Sequence, residues 1–307
     1  MLKSVTITNY LGKSVTYSFE EPTIDDESGL FITEIEGLGP VKADINMTKL
    51  ATANGDIYNS SRLSGRNIVI KGRYTYAKTI EEARLMSYRY FPIGHKITFH
   101  IETENRIAET TGYVESNDPV IFSKDCNAQI SVLCESPWFT SVSDEDNKQT
   151  NFSNVIAEFE FPFSNESVEE PLLEFGSIVN KKENTVYYDG DAETGCIIQL
   201  HAIGDVENVS IYNIKTGDKM VLDTDKLETL TGSKIIYGDT ITINTIKGQK
   251  SITLLRNGIN TNILNILGKD SDWFQLAKGD NLFAYTAEYG EANILFVVKS
   301  TVIFEGV

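Results

Sequence analysis

Alternation of apolar and polar residues at a period of two constrains the fold of this chain more than any other feature. It recurs through the first half, at residues 5–8, 31–35, 68–70, 97–101 and 129–133. Such alternation places one set of side chains on the buried face of a β-sheet and leaves the other set in solvent or against a partner. The sequence therefore predicts a β-rich first half.

One segment of the first half has a helical pattern instead. Thr79 and Glu82 have the spacing of a capping box, in which the hydroxyl accepts a hydrogen bond at the start of a helix. Pro92 ends the pattern because proline cannot continue a helix. The sequence predicts one helix here, with three side chains packed on the sheet: Leu85, Met86 and Tyr90.

A long polar stretch, residues 43–67, connects two of the predicted strands. It contains few residues suited to a core, and loops of this length inside a compact domain are usually functional or disordered. Two interpretations have equal support from composition: a functional arm, or a surface loop without regular structure.

The second half contains more short strands, separated by turn sequences. Strand patterns occur at residues 158–161, 186–188, 197–200, 209–212, 241–243, 252–254 and 294–304. Many short strands with regular turn signals favour an antiparallel β-sandwich, and no helix of comparable strength is expected. A charged tract at 143–149 indicates a linker, so we predict two domains, residues 1–140 and 141–307.

The chain is acidic, and the acidity is uneven. Its 307 residues include 44 Asp or Glu and 27 Lys or Arg, a net charge of −17. Residues 1–140 hold 14 basic and 18 acidic side chains, and residues 141–307 hold 13 and 26. An acidic surface repels phosphate backbones, which argues against specific nucleic-acid binding. The less charged first half is the better candidate for a surface that meets a partner.

The residues also argue against chemistry at the thiols and against a membrane span. Three cysteines cannot all pair within one chain, and Cys134 lies in an apolar run, which predicts a buried free thiol. The chain begins on a strand pattern and has no apolar run of 18 residues, so we expect neither a signal peptide nor membrane insertion. The expectation is cytosolic synthesis with reduced thiols.

Candidate sites for metals or catalysis fail on spacing. Residues 189–193 alternate oxygen-bearing side chains as a calcium loop does, but Thr194 and Leu200 occupy positions that require Gly and Glu. A tight turn is the better interpretation. The three histidines have neither zinc spacing nor a neighbouring nucleophile. We therefore predict no catalytic residue, no metal site, no cofactor and no enzymatic activity.

The order of several short motifs resembles the distal tail protein family of siphophages and prophages. In the first half these are the turn at 37–39, the segment 62–72 that ends the polar stretch, the helix before Pro92, and the segment 134–139. In the second half they are residues 190–195, 246–252 and 272–276, the last of these before Gly279. The resemblance extends over nearly the whole chain.

This resemblance implies an N-terminal β-rich domain that closes into a homo-hexameric ring at the end of the tail tube, and a galectin-like C-terminal β-sandwich. It implies a structural hub in the virion tail, assembled in the cytoplasm of the bacterial host. The implied partners are the tail tube protein, the tail-tip protein and, in many phages, receptor-binding proteins. DNA would pass through the ring without being bound.

The main alternative is a non-catalytic carbohydrate-binding protein in which Trp273 stacks on sugar. We expect Trp273 to belong to the core beside Phe274 and Leu276, which disfavours that alternative. A glycosidase is a remote third, because any two carboxylates of an acidic chain can lie near each other.

A ring through which DNA passes should not bind phosphates. We therefore expect its channel to be lined by acidic or neutral residues of the first domain, with four candidates: Glu34, Glu36, Glu102 and Glu104. The opposite case is a lining of basic residues: Lys42, Arg66, Lys71 and Arg73. That the four glutamates only face solvent on the outside is an equally supported interpretation.

Overall fold

The computed structural model describes residues 1–19, 29–50, 54–74, 79–120, 126–156 and 177–307. For residues 153–156 and 177–180 only the backbone is described. The strand predicted at 158–161 lies outside the described residues. The chain divides into two compact units, one formed by Met1–Asp146 with Ile303–Val307 and the other by Asn147–Val302.

The first unit is built mainly of β-strands, as the alternation predicts. Its first ten strands are β1 (Leu2–Asn9), β2 (Ser14–Ser18), β3 (Leu30–Glu36), β4 (Ala43–Lys49), β5 (Asp56–Leu63), β6 (Arg66–Tyr74), β7 (Lys96–Thr103), β8 (Ile107–Pro119), β9 (Asn127–Cys134) and β10 (Phe139–Ser141). All five segments with period-two alternation lie within strands, so that prediction is confirmed.

Antiparallel pairing assembles eight of these strands into one sheet in the order β2-β1-β7-β8-β9-β6-β3, with β10 paired to β8. Alternate residues of each strand are buried, and the core of the unit is formed by these aliphatic and aromatic side chains: Val5, Ile7, Ile68, Ile70, Ile97, Phe99, Ile101, Ile130 and Val132. The buried parity of each strand thus follows directly from its sequence.

The predicted helix is present as α1 (Ile80–Tyr90). Thr79 is its N-cap and accepts a hydrogen bond from the backbone N–H of Glu82 at 3.1 Å. The prediction for its buried face is wrong for Leu85, which is exposed, whereas Met86 and Tyr90 are half-buried. The fully buried residues of the helix are Ala83 and Ser87. At Ala83 the helix backbone lies directly against Gly29, where a Cβ would come within 2.5 Å of the Ala83 carbonyl oxygen.

Residues of the polar stretch form a β-hairpin, so the interpretation as a loop without regular structure is wrong. Strands β4 and β5 pair antiparallel from Ala43 opposite Leu63 to Lys49 opposite Asp56, with a bulge between Asn46 and Met47. They form a separate two-stranded sheet. We refer to this hairpin, β4 with β5, as the arm.

The second unit holds two large antiparallel sheets and one of two strands. Its strands are β11 (Gln149–Asn151), β12 (Ser153–Ile156), β13 (Ser177–Asn180), β14 (Glu183–Tyr188), β15 (Cys196–Ala202), β16 (Glu207–Asn213), β17 (Asp218–Leu222), β18 (Thr240–Asn244), β19 (Ser251–Arg256), β20 (Ile259–Asn262), β21 (Gly279–Tyr289) and β22 (Ile294–Ser300). One large sheet has the order β11-β22-β15-β18-β19-β20, the other has the order β14-β21-β16-β17, and β12 pairs with β13 alone.

The two large sheets pack face to face through buried aromatic rings. The ring of Tyr285 on β21 stacks on that of Phe296 on β22 with centroids 4.9 Å apart, and Phe152 contacts both rings edge-on. Aromatic pairs at such distances contribute to stability beyond the area they bury. The predicted antiparallel β-sandwich is confirmed.

A short helix that the sequence analysis did not anticipate, α2 (Thr224–Thr231), follows β17. Asp223 caps its N-terminus by accepting hydrogen bonds from the backbone N–H groups of Asp225 and Lys226, both at 3.1 Å. Gly232 ends it in the left-handed conformation, with φ of +85°. The helix has only two turns, too few for an apolar periodicity to stand out in the sequence.

The run predicted as one strand at 294–304 is two elements. Strand β22 ends at Ser300, and the last strand, β23 (Ile303–Phe304), pairs with β10 in the first unit. None of the described helices is long and apolar enough to cross a membrane.

Candidate interaction surfaces

The arm exposes apolar side chains on one face. Residues directly opposite each other in an antiparallel pair share a face, so Ile45 and Met47 on β4 lie on the same side as Tyr58 on β5. All three side chains are more than half exposed. The opposite face is mostly polar, and Asn59 donates a hydrogen bond to the Thr48 hydroxyl there at 2.6 Å. It also carries one apolar side chain, Ile57, which is opposite Thr48 and 50% exposed. The arm therefore exposes most of its large apolar side chains on one face.

Arg66, at the start of β6, is a second unusual feature of the first unit. Its side chain is buried, with 1% exposure, and its guanidinium donates hydrogen bonds to backbone carbonyl oxygens of four residues: Gly37, Gly39 at 2.7 Å, Pro137 at 2.8 Å and Glu305 at 2.6 Å. The guanidinium carbon lies 3.9 Å from the centre of the Phe139 ring. Burial lowers the pKa of Arg66, yet its ordinary value is so high that it stays charged. One cation thus joins three separate segments of the first unit.

The last residues of the chain are fixed in the first unit by further contacts. Arg106 donates a hydrogen bond to the Gly306 carbonyl oxygen at 2.6 Å, and its guanidinium carbon lies 4.3 Å from the centre of the Phe304 ring. The backbone N–H of Val307 donates to the Leu38 carbonyl oxygen at 3.1 Å. This anchoring is structural, because the cations are satisfied by backbone oxygens and aromatic faces.

The structure does not bring the four glutamates proposed for a channel into one cluster. Glu34 and Glu36 are on β3, and both pair with Lys71 on β6. Glu102 is on β7 and Glu104 follows it; β8, β9 and β6 separate β7 from β3 in the sheet. Strands β7 and β3 are thus four inter-strand spacings apart, which corresponds to about 19 Å across the sheet.

The structure removes one of the four basic residues considered for the channel lining. Arg66 is buried and holds carbonyl groups, so it cannot line a channel with an exposed side chain. The sequence itself carries a signal for this buried position. Arg66 shares the parity of Ile68, Ile70 and Tyr74, which all face the core. An arginine at a buried position of an alternating strand indicates a structural role.

In the second unit, the expectation for Trp273 is wrong. Phe274 and Leu276 are buried as predicted, whereas Trp273 is only half-buried, and the ammonium of Lys250 lies 5.1 Å from the centre of its ring. The ring is thus held at the surface by a cation–π contact. Its position resembles neither a core residue nor an open stacking platform.

Residues 189–193 form the tight turn that spacing favoured over a calcium loop. The hydroxyl of Tyr188 donates a hydrogen bond to the Ala192 carbonyl oxygen at 2.7 Å and closes the turn. A Cβ at Gly190 would lie 1.9 Å from the Tyr188 hydroxyl oxygen, so the turn requires glycine there. Asp189 forms an ion pair with Lys278 at 3.3 Å.

The thiols and the main buried ion pair are structural. Cys134 and Cys196 are buried free thiols and Cys126 is half-buried, which confirms the prediction for Cys134. Burial raises the pKa of Cys196 to about 12. Arg256 forms a two-pronged ion pair with the buried carboxylate of Asp239, with contacts of 2.8 and 2.6 Å. That carboxylate, by hydrogen bonding, raises the pKa of Arg256.

A polar groove of about 390 Å³ lies on the outer side of the four-stranded sheet, beside the start of α2. Its carboxylates are engaged: Asp223 pairs with Lys226, Asp225 with Lys234, and Glu288 accepts a hydrogen bond from Asn208. Among the described residues, no group of three or more His, Cys, Asp or Glu side chains is arranged to hold a metal ion.

Comparison with known proteins shows what the chain resembles. Residues 189–297 match the family model of the siphovirus-type tail component, C-terminal domain. The crystal structure of the Dit protein of phage SPP1, described as a paradigm of the hub adsorption apparatus in phages that infect Gram-positive bacteria, has the same fold with a TM-score of 0.65. The two sequences are 10% identical, and the alignment covers 98% of this chain and 99% of that one.

A chain of the phage P2 baseplate in its activated conformation aligns with 97% of this chain and 98% of its own length, at 9% identity and a TM-score of 0.43. No curated protein sequence matches the chain. Residues 189–297 thus resemble the C-terminal domain of siphovirus-type tail components, and the whole chain shares the fold of a phage tail hub protein. Among phage tail components the chain resembles the distal tail proteins, so the resemblance drawn from the sequence is confirmed.

Proposed function

We propose that this protein is a non-catalytic structural hub at the distal end of a siphophage or prophage tail. In this role six copies close into a ring through residues 1–140 and connect the tail tube to the tail-tip protein and, in some phages, to receptor-binding proteins. The observation that carries the proposal is the family match over residues 189–297 together with the fold shared with the SPP1 hub protein along the whole chain. The galectin-like character of the sandwich and assembly in the host cytoplasm remain implications of the family resemblance.

The chemistry of the described residues supports a structural role. The most buried charged groups, Arg66 and the Asp239–Arg256 pair, make their hydrogen bonds within the fold. The least reactive thiol, Cys196, is fully buried. By contrast, the arm presents apolar side chains to solvent, which is typical of a surface that a partner covers.

The experiment that tests the proposal removes the arm. Residues 44–62 are replaced by a short Gly-Ser linker, and the variant is expressed with the tail genes of the phage or prophage that encodes it. We expect tails to fail at their distal end, while the second unit keeps its own unfolding transition. The unaltered protein should form a ring of six 34.2 kDa chains, about 205 kDa, in isolated tail tips. Normal tails from the arm deletion would contradict the proposed ring contact, and tails that lack the protein altogether would contradict the hub.

The proposal excludes tight binding of simple sugars by the sandwich, because Lys250 lies over the ring of Trp273. A glycan array followed by calorimetric titration tests this. Sub-millimolar affinity that disappears in Trp273→Ala, equivalent to roughly 4 kcal/mol of binding free energy, would favour the carbohydrate-binding alternative.

The channel also remains a proposal. A hexamer of chains with net charge −17 would carry a formal charge of −102, which disfavours retention of DNA. Each of the four candidate glutamates lies near a cation: Lys71 pairs with Glu34 and Glu36, Lys3 with Glu102, and the N-terminal ammonium with Glu104. The ion pairs therefore do not rank the four candidates. A structure of the ring with Lys42, Lys71 and Arg73 as the main channel lining would contradict the proposed acidic or neutral lining.

A further inference from the structure

A second exposed apolar surface of the first unit lies where β1 turns into β2 and where α1 leads into β7. It consists of Tyr10, Leu11, Ile93 and His95, and we refer to it as the rim patch. Leu11 and Ile93 are 64% and 63% exposed. Turn tips normally carry polar residues, so this cluster of apolar side chains needs an explanation other than packing within the unit.

Hydrogen bonds and a ring stack hold the rim patch in place. The side chain of Asn9 accepts hydrogen bonds from the backbone N–H groups of Leu11 and Lys13, both at 3.0 Å, and donates one to the Arg89 carbonyl oxygen at 2.9 Å. This side chain is itself buried and joins the turn to the end of α1. The rings of Tyr10 and His95 stack with centroids 4.2 Å apart. A surface held in place before binding loses little entropy when a partner covers it.

The register of the sheet places the rim patch and the base of the arm at the same end of the strands. Five residues lie side by side across five adjacent strands, in the order Asn9, Ile97, Gly112, Cys134 and Arg66. The rim patch adjoins the first of these, and the arm ends three residues before the last. Four inter-strand spacings make this about 19 Å along the sheet, whereas the eight residues of β5 extend about 26 Å. The arm is long enough to reach beyond its own unit.

We propose that the apolar face of the arm (Ile45, Met47 and Tyr58) covers the rim patch of the neighbouring copy in the ring. This inference rests on the proposed hexamer and specifies its contact. A ring closed by rotation requires two different surfaces on each copy, one complementary to the other. The first unit offers two such surfaces, both apolar, both uncovered and at the same end of the sheet. An isolated two-stranded hairpin is only marginally stable in water, so the arm gains order from being covered.

Cysteine cross-linking tests the contact directly. Met47→Cys and Ile93→Cys are combined in a Cys126→Ser background, because the other two native thiols are buried. The protein is expressed with the tail genes and oxidised in assembled tails. We expect a ladder of cross-linked species up to six chains on a non-reducing gel. Each single-cysteine variant should give nothing larger than a dimer.

A charge substitution provides the second measurement. Ile93→Asp should weaken self-association by about tenfold or more, because it places a carboxylate in an apolar contact. Ile259→Asp is the matched control: Ile259 is 68% exposed on β20 of the second unit, and this variant should assemble like the parent. Circular dichroism of each variant establishes that it is folded.

The outcomes separate this inference from the proposed function. A ladder together with impaired assembly of Ile93→Asp supports the contact. If Ile93→Asp forms a ring of normal mass and the cysteine pair gives no ladder, the contact is wrong and the proposed hub still stands. A cross-link from the arm to another tail protein has the same consequence. If the parent protein forms no ring in assembled tails, both the proposed hexamer and this contact are wrong.

Discussion

Replacement of the buried cation at Arg66 is the sharpest test of how the first unit is held together. Arg66→Met keeps the length of the side chain but removes all four hydrogen bonds to carbonyl oxygens. Each hydrogen bond to a charged group contributes about 1.5–3 kcal/mol, and each carbonyl left unpaired adds a desolvation cost. Against this, the variant no longer pays for burying a charge. We expect a net loss of about 3–5 kcal/mol in the free energy of unfolding.

The measurement can be restricted to the first unit. The chain contains two tryptophans, Trp138 in the first unit and Trp273 in the second. In a Trp273→Phe background, fluorescence during urea unfolding follows the first unit alone. A loss of 3–5 kcal/mol should also lower the melting temperature by roughly 10 °C for a unit of this size.

A matched control lies on the same strand. Arg73 on β6 is exposed, so Arg73→Met should change the free energy of unfolding by less than about 0.5 kcal/mol. Equal stability of Arg66→Met and the parent would refute the reasoning, because it would mean that the cost of burying the charge cancels its hydrogen bonds. A similar loss in both variants would show that the effect does not come from the buried contacts.

Two further predictions concern the thiols and the second helix. With a thiol reagent at pH 8, Cys126 should react in the native protein while Cys134 and Cys196 react only after unfolding, since burial raises the pKa of both; rapid native reaction of all three would contradict this. Hydrogen bonds from the backbone N–H and side chain of Lys226 lower the pKa of Asp223, so its stabilisation of α2 is present above pH 4 and is lost as the pH falls through the lowered value. Asp223→Ala should cost about 1 kcal/mol at pH 7 and less at pH 2.5, as measured by urea unfolding.

The sequence alone determined the β-rich character of both halves. Period-two alternation is a local property, because each residue faces core or solvent according to its parity along the strand. The helix α1 was also predictable, since Thr79 and Pro92 act on the backbone within one turn of themselves. The turn at 189–193 follows from local requirements in the same way, with glycine needed at position 190.

Only the tertiary structure decided which elements pair and which faces are covered. The apolar residues of the arm are too few and too widely spaced to distinguish a hairpin from a loop, and its pairing became visible in the register of β4 with β5. Leu85 has the helical spacing of a core residue, but it is Ala83 that lies against Gly29 on the buried face of the helix. Such contacts depend on residues distant in sequence, so no local pattern encodes them.

For the candidate interaction surfaces as well, the sequence determined one part and the tertiary structure decided the rest. Alternation placed Arg66 on a buried face, but its partners at Gly37, Pro137 and Glu305 come from segments up to 239 residues away. Likewise, Leu11 and Ile93 lie in separate turns and form one surface because Asn9 fixes the first turn to the end of α1. The sequence determines the parity of each side chain, whereas the folding of distant segments onto one another determines what that side chain meets.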